Sequence, residues 1–158
     1  MKINEVAEKP QFVLVMGGAG SGKNYFIEHD PTLRSFKLID VDAIKGEMGV
    51  SNAVSSIKPM LTSAFERRLN VVHPTTGSNL KGQENKIALA RQYGYHVIVI
   101  LRKTDPLDAV ANVAKRASAG GHDVEYDKIV QSNQRARENF VSLQQLADES
   151  FVSESPTT

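Results

Sequence analysis

The chain has 158 residues, 41% of them hydrophobic and 23% charged, which is the balance of an ordinary globular domain and excludes disordered and fibrous classes. It has no cysteine, so disulfides, thiolate metal sites and cysteine nucleophiles are excluded. The formal net charge of +1 provides no global basic field that would indicate a nucleic-acid partner, and it leaves a local basic groove open.

The N-terminus does not have the pattern of a secretion signal, and the apolar runs do not have the length of a membrane-spanning segment. The opening stretch MKINEVAEKPQ contains acidic residues and no apolar segment of the kind that secretion signals carry. The longest apolar runs, Phe12 to Met16 and Val97 to Leu101, are far shorter than the roughly 20 residues that span a bilayer. We therefore expect a cytoplasmic location, no membrane partner, and one domain over residues 1–158 with its core at about residues 12–152.

The first half of the chain alternates between strand and helix patterns. Phe12–Met16 (FVLVM) is a continuous apolar run, which indicates a strand buried on both faces of a parallel sheet. A glycine-rich loop and a short helix at Asn24–His29 follow, and Pro31 limits that helix. The further predicted elements are a strand at Phe36–Asp40, a helical turn at Asp42–Lys45, a helix at Asn52–Leu69 with a kink or restart at Pro59, and a strand at Asn70–His73.

The second half continues the alternation. Leu80–Gln92 is an amphipathic helix that Gly94 ends, and His96–Leu101 (HVIVIL) is the clearest strand of the sequence. The remaining elements are a helix from Asp105 and Pro106, in the cap and first-turn positions, to about Ala117, a helix at Val124–Ala147 and a short strand at Phe151–Val152. The alternation predicts an α/β fold with a parallel sheet of about five strands and helices on both faces, which binds ligands at the carboxyl ends of its strands.

The loop GGAGSGKN, residues 17–24, fits the phosphate-binding pattern G-x-x-x-x-G-K-[ST] in all but its last letter. Its backbone N–H groups can converge on phosphate oxygens, and its lysine can reach the β- and γ-phosphates. A glycine-rich turn without a ligand is the alternative. We assign nucleotide binding to Gly17, Gly18, Ala19, Gly20, Ser21, Gly22, Lys23 and Asn24.

Asn24 stands where the pattern has a magnesium-binding hydroxyl. Its amide oxygen can still coordinate Mg²⁺, which prefers oxygen ligands and keeps several waters. We expect nucleotide binding to be retained and the metal geometry to shift. A nucleotide-binding regulatory module without catalysis is the alternative.

Two acids follow the predicted second strand in the stretch LIDVDAIK. A separation of two residues places Asp40 and Asp42 on the same side of an extended chain, so both can face the γ-phosphate. Phosphoryl transfer needs a group that accepts the hydroxyl proton and carboxylates that help to hold metal. We predict Asp42 as the general base and Asp40 as a metal ligand; the alternative is that one of them caps the helix that begins near Ala43.

A lid is predicted at about residues 112–137. Gly120 and Gly121 separate two helices, and Arg116 before them and Arg135 after them can swing onto ATP and neutralise charge on the transferred group. Ordinary solvated helix charge is the alternative for both arginines. Arg137 is the less favoured candidate for the second position.

The order of GGAGSGKN, LIDVDAIK and a glycine lid resembles the P-loop kinases that include the zeta toxins and the 5′-hydroxyl polynucleotide kinases. The resemblance implies a three-layer P-loop NTPase fold, ATP and Mg²⁺ as cofactors, Asp42 as general base and Lys45 near the substrate, with a solvated lysine as the alternative for Lys45. The family's R-x-x-x-G-G-H-x-V stretch matches Arg116 to Val124, and the later family arginine falls at Arg135.

The stretch HPTTGSN, residues 73–79, departs from the family pattern, which has an acid and a Thr-Gly pair after the third strand. Thr76 and Gly77 match the pair, and we assign them to substrate binding. His73 occupies the approximate place of the acid. A neutral histidine replaces a magnesium-associated carboxylate poorly, so Asp40 or Asp42 would carry more of that task.

These features predict an ATP-dependent kinase that transfers the γ-phosphoryl group to a hydroxyl of a nucleotide, a nucleotide sugar or a nucleic acid. The alternatives are a non-catalytic ATP- or GTP-binding module and a zeta-type toxin kinase that acts on a UDP-amino-sugar. Zeta toxins are held in check by an antitoxin, and no feature of this sequence supports such a partner.

Overall fold

Five parallel strands form one sheet in the computed structural model, which describes residues 9–118 and 126–154. In chain order the strands are β1 (Gln11–Met16), β2 (Lys37–Leu38), β3 (Val71–Thr75), β4 (His96–Lys103) and β5 (Glu149–Glu154). They lie side by side in the order β2-β3-β1-β4-β5, and every neighbouring pair is parallel. The predicted parallel sheet is therefore confirmed.

Helices cover both faces of this sheet. They are α1 (Lys23–His29), α2 (Val41–Met48), α3 (Val50–Glu66), α4 (Leu80–Gln92), α5 (Pro106–Ser118) and α6 (Tyr126–Gln144). Buried side chains of α3, α4 and α6 pack against one face, and α1 packs against the other. The molecule thus has three layers, as the alternation of strand and helix patterns predicted.

The apolar run at β1 is explained by its place in the centre of the sheet. Phe12, Leu14 and Met16 pack under α3, α4 and α6, while Val13 and Val15 pack under α1. All five side chains are fully buried, and burial of one such side chain contributes about 1.5–3 kcal/mol. A strand that is apolar on both faces is the expected result of this two-sided cover.

Several elements differ from the sequence predictions, and β2 and α3 show this most clearly. β2 ends at Leu38 and not at Asp40, because Asp40 caps α2: its Oδ1 accepts the N–H of Asp42 at 3.0 Å. The predicted extended geometry of the two acids is therefore wrong. α3 runs through Pro59 without a break, with Ile57 and Leu61 on either side of the proline buried in the core.

Candidate functional site

A cavity of about 830 Å³ lies at the carboxyl ends of the strands. Its wall comes from the glycine-rich loop after β1, the junction between β2 and α2, the end of β3, the end of β4 and one face of α5. The lining residues are Gly20, Ser21, Gly22, Lys23, Asn24, Tyr25, Asp40, Val41, Asp42, Pro74, Thr75, Thr76, Arg102, Asp108, Ala111, Asn112 and Lys115. This is the place at which parallel α/β sheets bind their ligands.

The glycine-rich loop presents its second half to the cavity. Gly20 to Asn24 line the wall, whereas Gly17, Gly18 and Ala19 do not. The ammonium group of Lys23 donates to the carbonyl oxygen of Gly17 at 2.6 Å and to that of Gly18 at 3.3 Å. The lysine charge is therefore held at the loop, next to the surface on which phosphate would lie.

Gly18 and Gly20 let two helices approach the loop closely. A Cβ atom at Gly18 would lie 2.4 Å from the backbone nitrogen of Asn133 on α6. At Gly20, whose φ is +74°, it would lie 2.2 Å from the carbonyl oxygen of Ala109 on α5. Both distances are far inside van der Waals contact. These two glycines are therefore needed for packing as well as for any contact with phosphate.

Side chains of α5 and α6 bind the loop backbone. Asn112 Nδ2 donates to the Gly20 carbonyl at 2.9 Å, and Asn133 Nδ2 donates to the Ala19 carbonyl at 2.9 Å. The Ala19 N–H donates to Ser132 Oγ at 3.2 Å. These hydrogen bonds fix the shape of the loop in advance, and they occupy backbone groups of Ala19 that we had assigned to the nucleotide.

The two predicted acids reach the cavity from the start of α2. Asp42 lies in the first turn of that helix and is exposed, and Asp40 is the capping residue before it. Both side chains line the cavity. The capping alternative holds for Asp40, and its role as a metal ligand stays a prediction.

The polar groups of the cavity suit a magnesium ion that a nucleotide brings with it. Asn24, Asp40, Asp42 and Thr75 offer oxygen donors, the kind that Mg²⁺ prefers. Within residues 9–118 and 126–154, no three His, Asp or Glu side chains gather closely enough to hold a metal by themselves. A site that relies on phosphate oxygens and water for most ligands fits this donor set.

Arg102, at the end of β4, is a site residue that the sequence patterns did not reveal. It is 6% exposed; its Nε donates to the Ser21 carbonyl at 3.3 Å, and its Nη1 donates to Ser153 Oγ at 2.8 Å. Burial lowers the pKa of the guanidinium, and no carboxylate of the described part of the chain pairs with it. No sequence motif marks a single arginine at the end of an apolar strand.

α5 turns one face towards the cavity. Asp108, Asn112 and Lys115 line it at spacings of four and three residues, which is one side of a helix. Arg116 follows Lys115 on the same helix, and Lys45 lies on α2. The structure places the backbone of these last two predicted site residues and does not describe their side chains.

The structure does not bring Arg135 to the cavity. It is exposed on α6 and is absent from the cavity wall, so a contact with phosphate stays a prediction. Nη2 of Arg137 donates to the Thr104 carbonyl at 3.0 Å. The predicted lid centre at Gly120, Gly121, His122 and Val124 lies outside the described residues.

Of the two residues after β3 that were assigned to substrate, one lines the cavity. Thr76 is exposed there, whereas Gly77 is buried behind it. A Cβ atom at Gly77 would lie 2.4 Å from Met16 Cε, and the Gly77 carbonyl accepts a hydrogen bond from Asn139 at 2.6 Å. Packing therefore explains this glycine.

His73 lies in the core below the cavity and is fully buried. Its Nδ1 contacts the Ile39 carbonyl, and its Nε2 contacts the ammonium of Lys86. Burial lowers the pKa of His73 to about 3 and that of Lys86 to about 8. The histidine is therefore a neutral core residue, and it does not take the place of a metal-binding acid.

The sequence profile of a protein family described as an AAA domain matches residues 12–140, which is most of the chain. A search of curated proteins finds no match to the chain. Within the described residues, no helix is both long and apolar enough to cross a membrane.

Solved structures share the fold at low sequence identity. A structure from the PezAT chromosomal toxin–antitoxin system of Streptococcus pneumoniae has a TM-score of 0.75 and 15% identity over 96% of this chain and 70% of its own. The AvrRxo1-ORF1:-ORF2 structure with ATP has a TM-score of 0.68 and 14% identity over 87% of this chain and 50% of its own. A gluconokinase from Sinorhizobium meliloti has a TM-score of 0.59 and 15% identity over 94% of this chain and 85% of its own.

These likenesses establish the fold and leave the substrate open. The three-layer fold of P-loop kinases, predicted from the sequence, is confirmed. The chain spans only half the length of the ATP-bound structure, so the activity of that longer protein is not transferred to it.

Proposed function

The chain belongs to the AAA domain family, in keeping with its resemblance to the P-loop kinases, and on that premise we propose that it is an ATP-dependent kinase with a hydroxyl acceptor. The observation that carries this proposal is the meeting of Lys23 and Asp42 at one cavity. A phosphate-binding lysine and an exposed carboxylate are the two groups that transfer of a phosphoryl group to a hydroxyl needs.

Lys23 and the loop hold the triphosphate in this proposal. The ammonium group leaves the carbonyl oxygens of Gly17 and Gly18 and binds the β- and γ-phosphates. Arg102 adds a buried positive charge behind Ser21, on the side from which the loop is supported. When bound nucleotide displaces water from the cavity, these charges act more strongly than they would in bulk solvent.

Asp42 acts on the acceptor. Its carboxylate accepts the proton of the acceptor hydroxyl while that oxygen forms a bond to the γ-phosphorus, and the bond to the β–γ bridging oxygen breaks to release ADP. Asn24 and Asp40 would hold Mg²⁺, which neutralises phosphate charge when it is bound. Asp40 accepts the capping bond from the Asp42 N–H through Oδ1, which ties the metal-holding carboxylate to the start of α2.

The lid and substrate assignments belong to this proposal as well. Arg116 and Arg135 close over the transferred phosphoryl group, which requires that Arg135 move from its exposed position. Lys45 and Thr76 contact the acceptor in this proposal, and Gly77 supports the loop that follows β3. We propose a single domain and, since the chain has no cysteine, a cytoplasmic location.

The acceptor is proposed only as a class: a nucleotide, a nucleotide sugar or a nucleic acid with a free hydroxyl. Among structures of similar fold are a gluconokinase, an ATP complex and a toxin–antitoxin system. A zeta-type activity on a UDP-amino-sugar, with an antitoxin partner, is one form of this proposal.

The test is transfer of labelled γ-phosphate from Mg-ATP to a panel of nucleosides, 5′-hydroxyl DNA and RNA, hydroxymethylated DNA and UDP-sugars. Wild type is compared with Asp42→Asn and with Glu66→Gln, an exposed acid at the end of α3 that does not line the cavity. A product that needs Asp42 and not Glu66 supports the kinase. ATP binding without any labelled product, from any acceptor or from water, favours the regulatory module.

A further inference from the structure

The hydrogen-bond ladder between β2 and β3 stops at a proline. The Lys37 N–H donates to the Asn70 carbonyl at 2.9 Å, and the Ile39 N–H donates to the Val72 carbonyl at 3.0 Å. In a parallel ladder the next bond runs from the N–H of residue 74 back to the carbonyl of Ile39. Residue 74 is Pro74, which has no N–H. The Ile39 carbonyl is therefore left without its backbone donor.

His73 supplies a donor from its side chain. Its Nδ1 lies 2.6 Å from the Ile39 carbonyl oxygen, and its Nε2 lies 2.8 Å from Lys86 Nζ. The ammonium group of a lysine has donors only, so Nε2 is the acceptor and Nδ1 carries the hydrogen. Lys86 also donates to Gln83 Oε1 at 3.1 Å, which holds the ammonium in place. The lysine thus fixes the histidine tautomer that the Ile39 carbonyl requires.

Water cannot take over this role, because both partners lie in the core. Ile39 is 1% exposed and His73 is 0% exposed. A buried carbonyl without a donor is costly, so the contact between them strongly favours one position of the chain at Ile39.

The chain changes direction directly after this contact. Asp40 follows Ile39 and caps α2, and Asp42 lies in the first turn of that helix. We propose that His73 is a positioning residue: it replaces the backbone donor that Pro74 lacks, anchors Ile39, and so fixes the junction that presents Asp40 and Asp42 to the cavity. The inference about catalysis rests on the proposed function of Asp42, whereas the anchoring of Ile39 does not.

Two conservative variants of His73 separate the contributions of its two ring nitrogens. In His73→Asn the amide nitrogen lies near the place of Nδ1 and keeps the donor to Ile39. In His73→Gln the amide oxygen lies near the place of Nε2 and keeps the acceptor for Lys86, but the donor to Ile39 is lost. Both variants place an amide in the same pocket, so each is the matched control of the other.

The first measurement is native-state hydrogen exchange, which does not depend on any activity. We expect the amides of Asp42 and Ala43 to exchange about tenfold faster in His73→Gln than in His73→Asn, relative to the amides of Val13 to Val15 in β1. Equal exchange at the junction in the two variants would overturn the proposal, whether or not the protein is a kinase.

The second measurement is turnover of Mg-ATP with water as the acceptor, together with the Kd for ATP. We expect His73→Gln to lower kcat by about 10²-fold with an unchanged Kd, and His73→Asn to restore most of it. If wild type shows no Asp42-dependent turnover with water or with any acceptor of the panel, the proposed function fails. The hydrogen-exchange result then still tests whether His73 anchors Ile39. Equal loss of kcat in both variants would reduce His73 to a packing role.

Pro74→Ala provides a further test of the contact between His73 and Ile39. The alanine restores an N–H at residue 74, which can donate to the Ile39 carbonyl directly. In this background we expect His73→Leu to lose less stability and less junction protection than it does with Pro74 present. Additive effects of the two substitutions would contradict the proposal that His73 replaces the backbone N–H that Pro74 lacks.

Discussion

The imidazole of His73 is buried among groups that oppose its protonation. Burial and the nearby Lys86 ammonium lower its pKa to about 3, against 6.5 for an exposed histidine. Between pH 6.5 and 3 the unfolded chain therefore binds a proton that the folded chain does not, so the free energy of unfolding falls as the pH falls through this window.

This prediction is checked by urea unfolding at several pH values between 7 and 4. Wild type should lose stability more steeply than His73→Asn, because asparagine does not titrate. Parallel curves for the two proteins would show that His73 is protonated in the folded chain as readily as in the unfolded chain.

Lys86 has the same sign of pH dependence as His73, in a higher pH window. Burial lowers its pKa from 10.5 to about 8. Between pH 8 and 10.5 the unfolded chain holds the proton that the folded chain has lost, so stability should rise with pH across this window. Lys86→Met should abolish that rise in urea midpoints, and a rise that persists in Lys86→Met would assign it to another group.

Single residues differ in how far the sequence reveals them. The loop and Asp42 are found because a fixed spacing or a strand end points to them, and Asp42 and the second half of the loop line the cavity. Arg102 was missed, and His73 was noticed only as a substitute for an acid. The contacts of these two residues are with Ser21 and Ile39, which lie 81 and 34 residues away in the chain. No local pattern records such contacts.

At the scale of elements, the close approach of α5 to the glycine-rich loop makes a specific demand on Gly20. Gly20→Ala adds a methyl group 2.2 Å from the Ala109 carbonyl at a φ of +74°. Gly49→Ala is a matched control, because Gly49 has a φ of +83° and nothing within 4 Å of its Cβ position. Gly20→Ala should therefore lose about 1–3 kcal/mol more than Gly49→Ala.

Chemical unfolding of the two glycine variants measures this difference. ATP binding should fall in Gly20→Ala and be retained in Gly49→Ala, since only the former moves the loop. Equal losses of stability would show that the positive φ alone sets the cost of the substitution. In that case α5 moves enough to accommodate the added methyl group.

Element types were predictable from the sequence, whereas some ends were not. Continuous apolar runs revealed β1 and β4, because both faces of these strands are covered. The end of β2 was missed, since it depends on Pro74 in the neighbouring strand and on the cap that Asp40 provides. The continuity of α3 through Pro59 was missed as well, because burial on both sides of the proline outweighs the local break.

At the scale of the whole molecule, Arg102 joins three parts of the fold around the cavity. It contacts the Ser21 carbonyl in the loop, lies 5.5 Å from the Phe26 ring centre in α1, and donates to Ser153 and to the Glu154 carbonyl in β5. Arg102→Met removes the charge and all of these hydrogen bonds. We expect at least a tenfold weaker affinity for ATP together with lower stability.

Ser153→Ala separates the two effects, because it removes one hydrogen bond to Arg102 and keeps the charge. Its affinity for ATP should stay close to that of wild type, measured by calorimetry on folded protein. If Arg102→Met binds ATP as tightly as wild type, the guanidinium supports the fold without contributing to the nucleotide site.

In the proposed kinase, one cavity holds ATP through Lys23 and activates an acceptor through Asp42. The most direct measurement pairs the Kd for Mg-ATP with the rate of phosphoryl transfer in Lys23→Met and Asp42→Asn. Lys23→Met should lose affinity by about 10- to 100-fold. Asp42→Asn should bind ATP as wild type does and lose transfer by about 10²- to 10⁴-fold. Transfer by Asp42→Asn at the wild-type rate would show that Asp42 is not the general base.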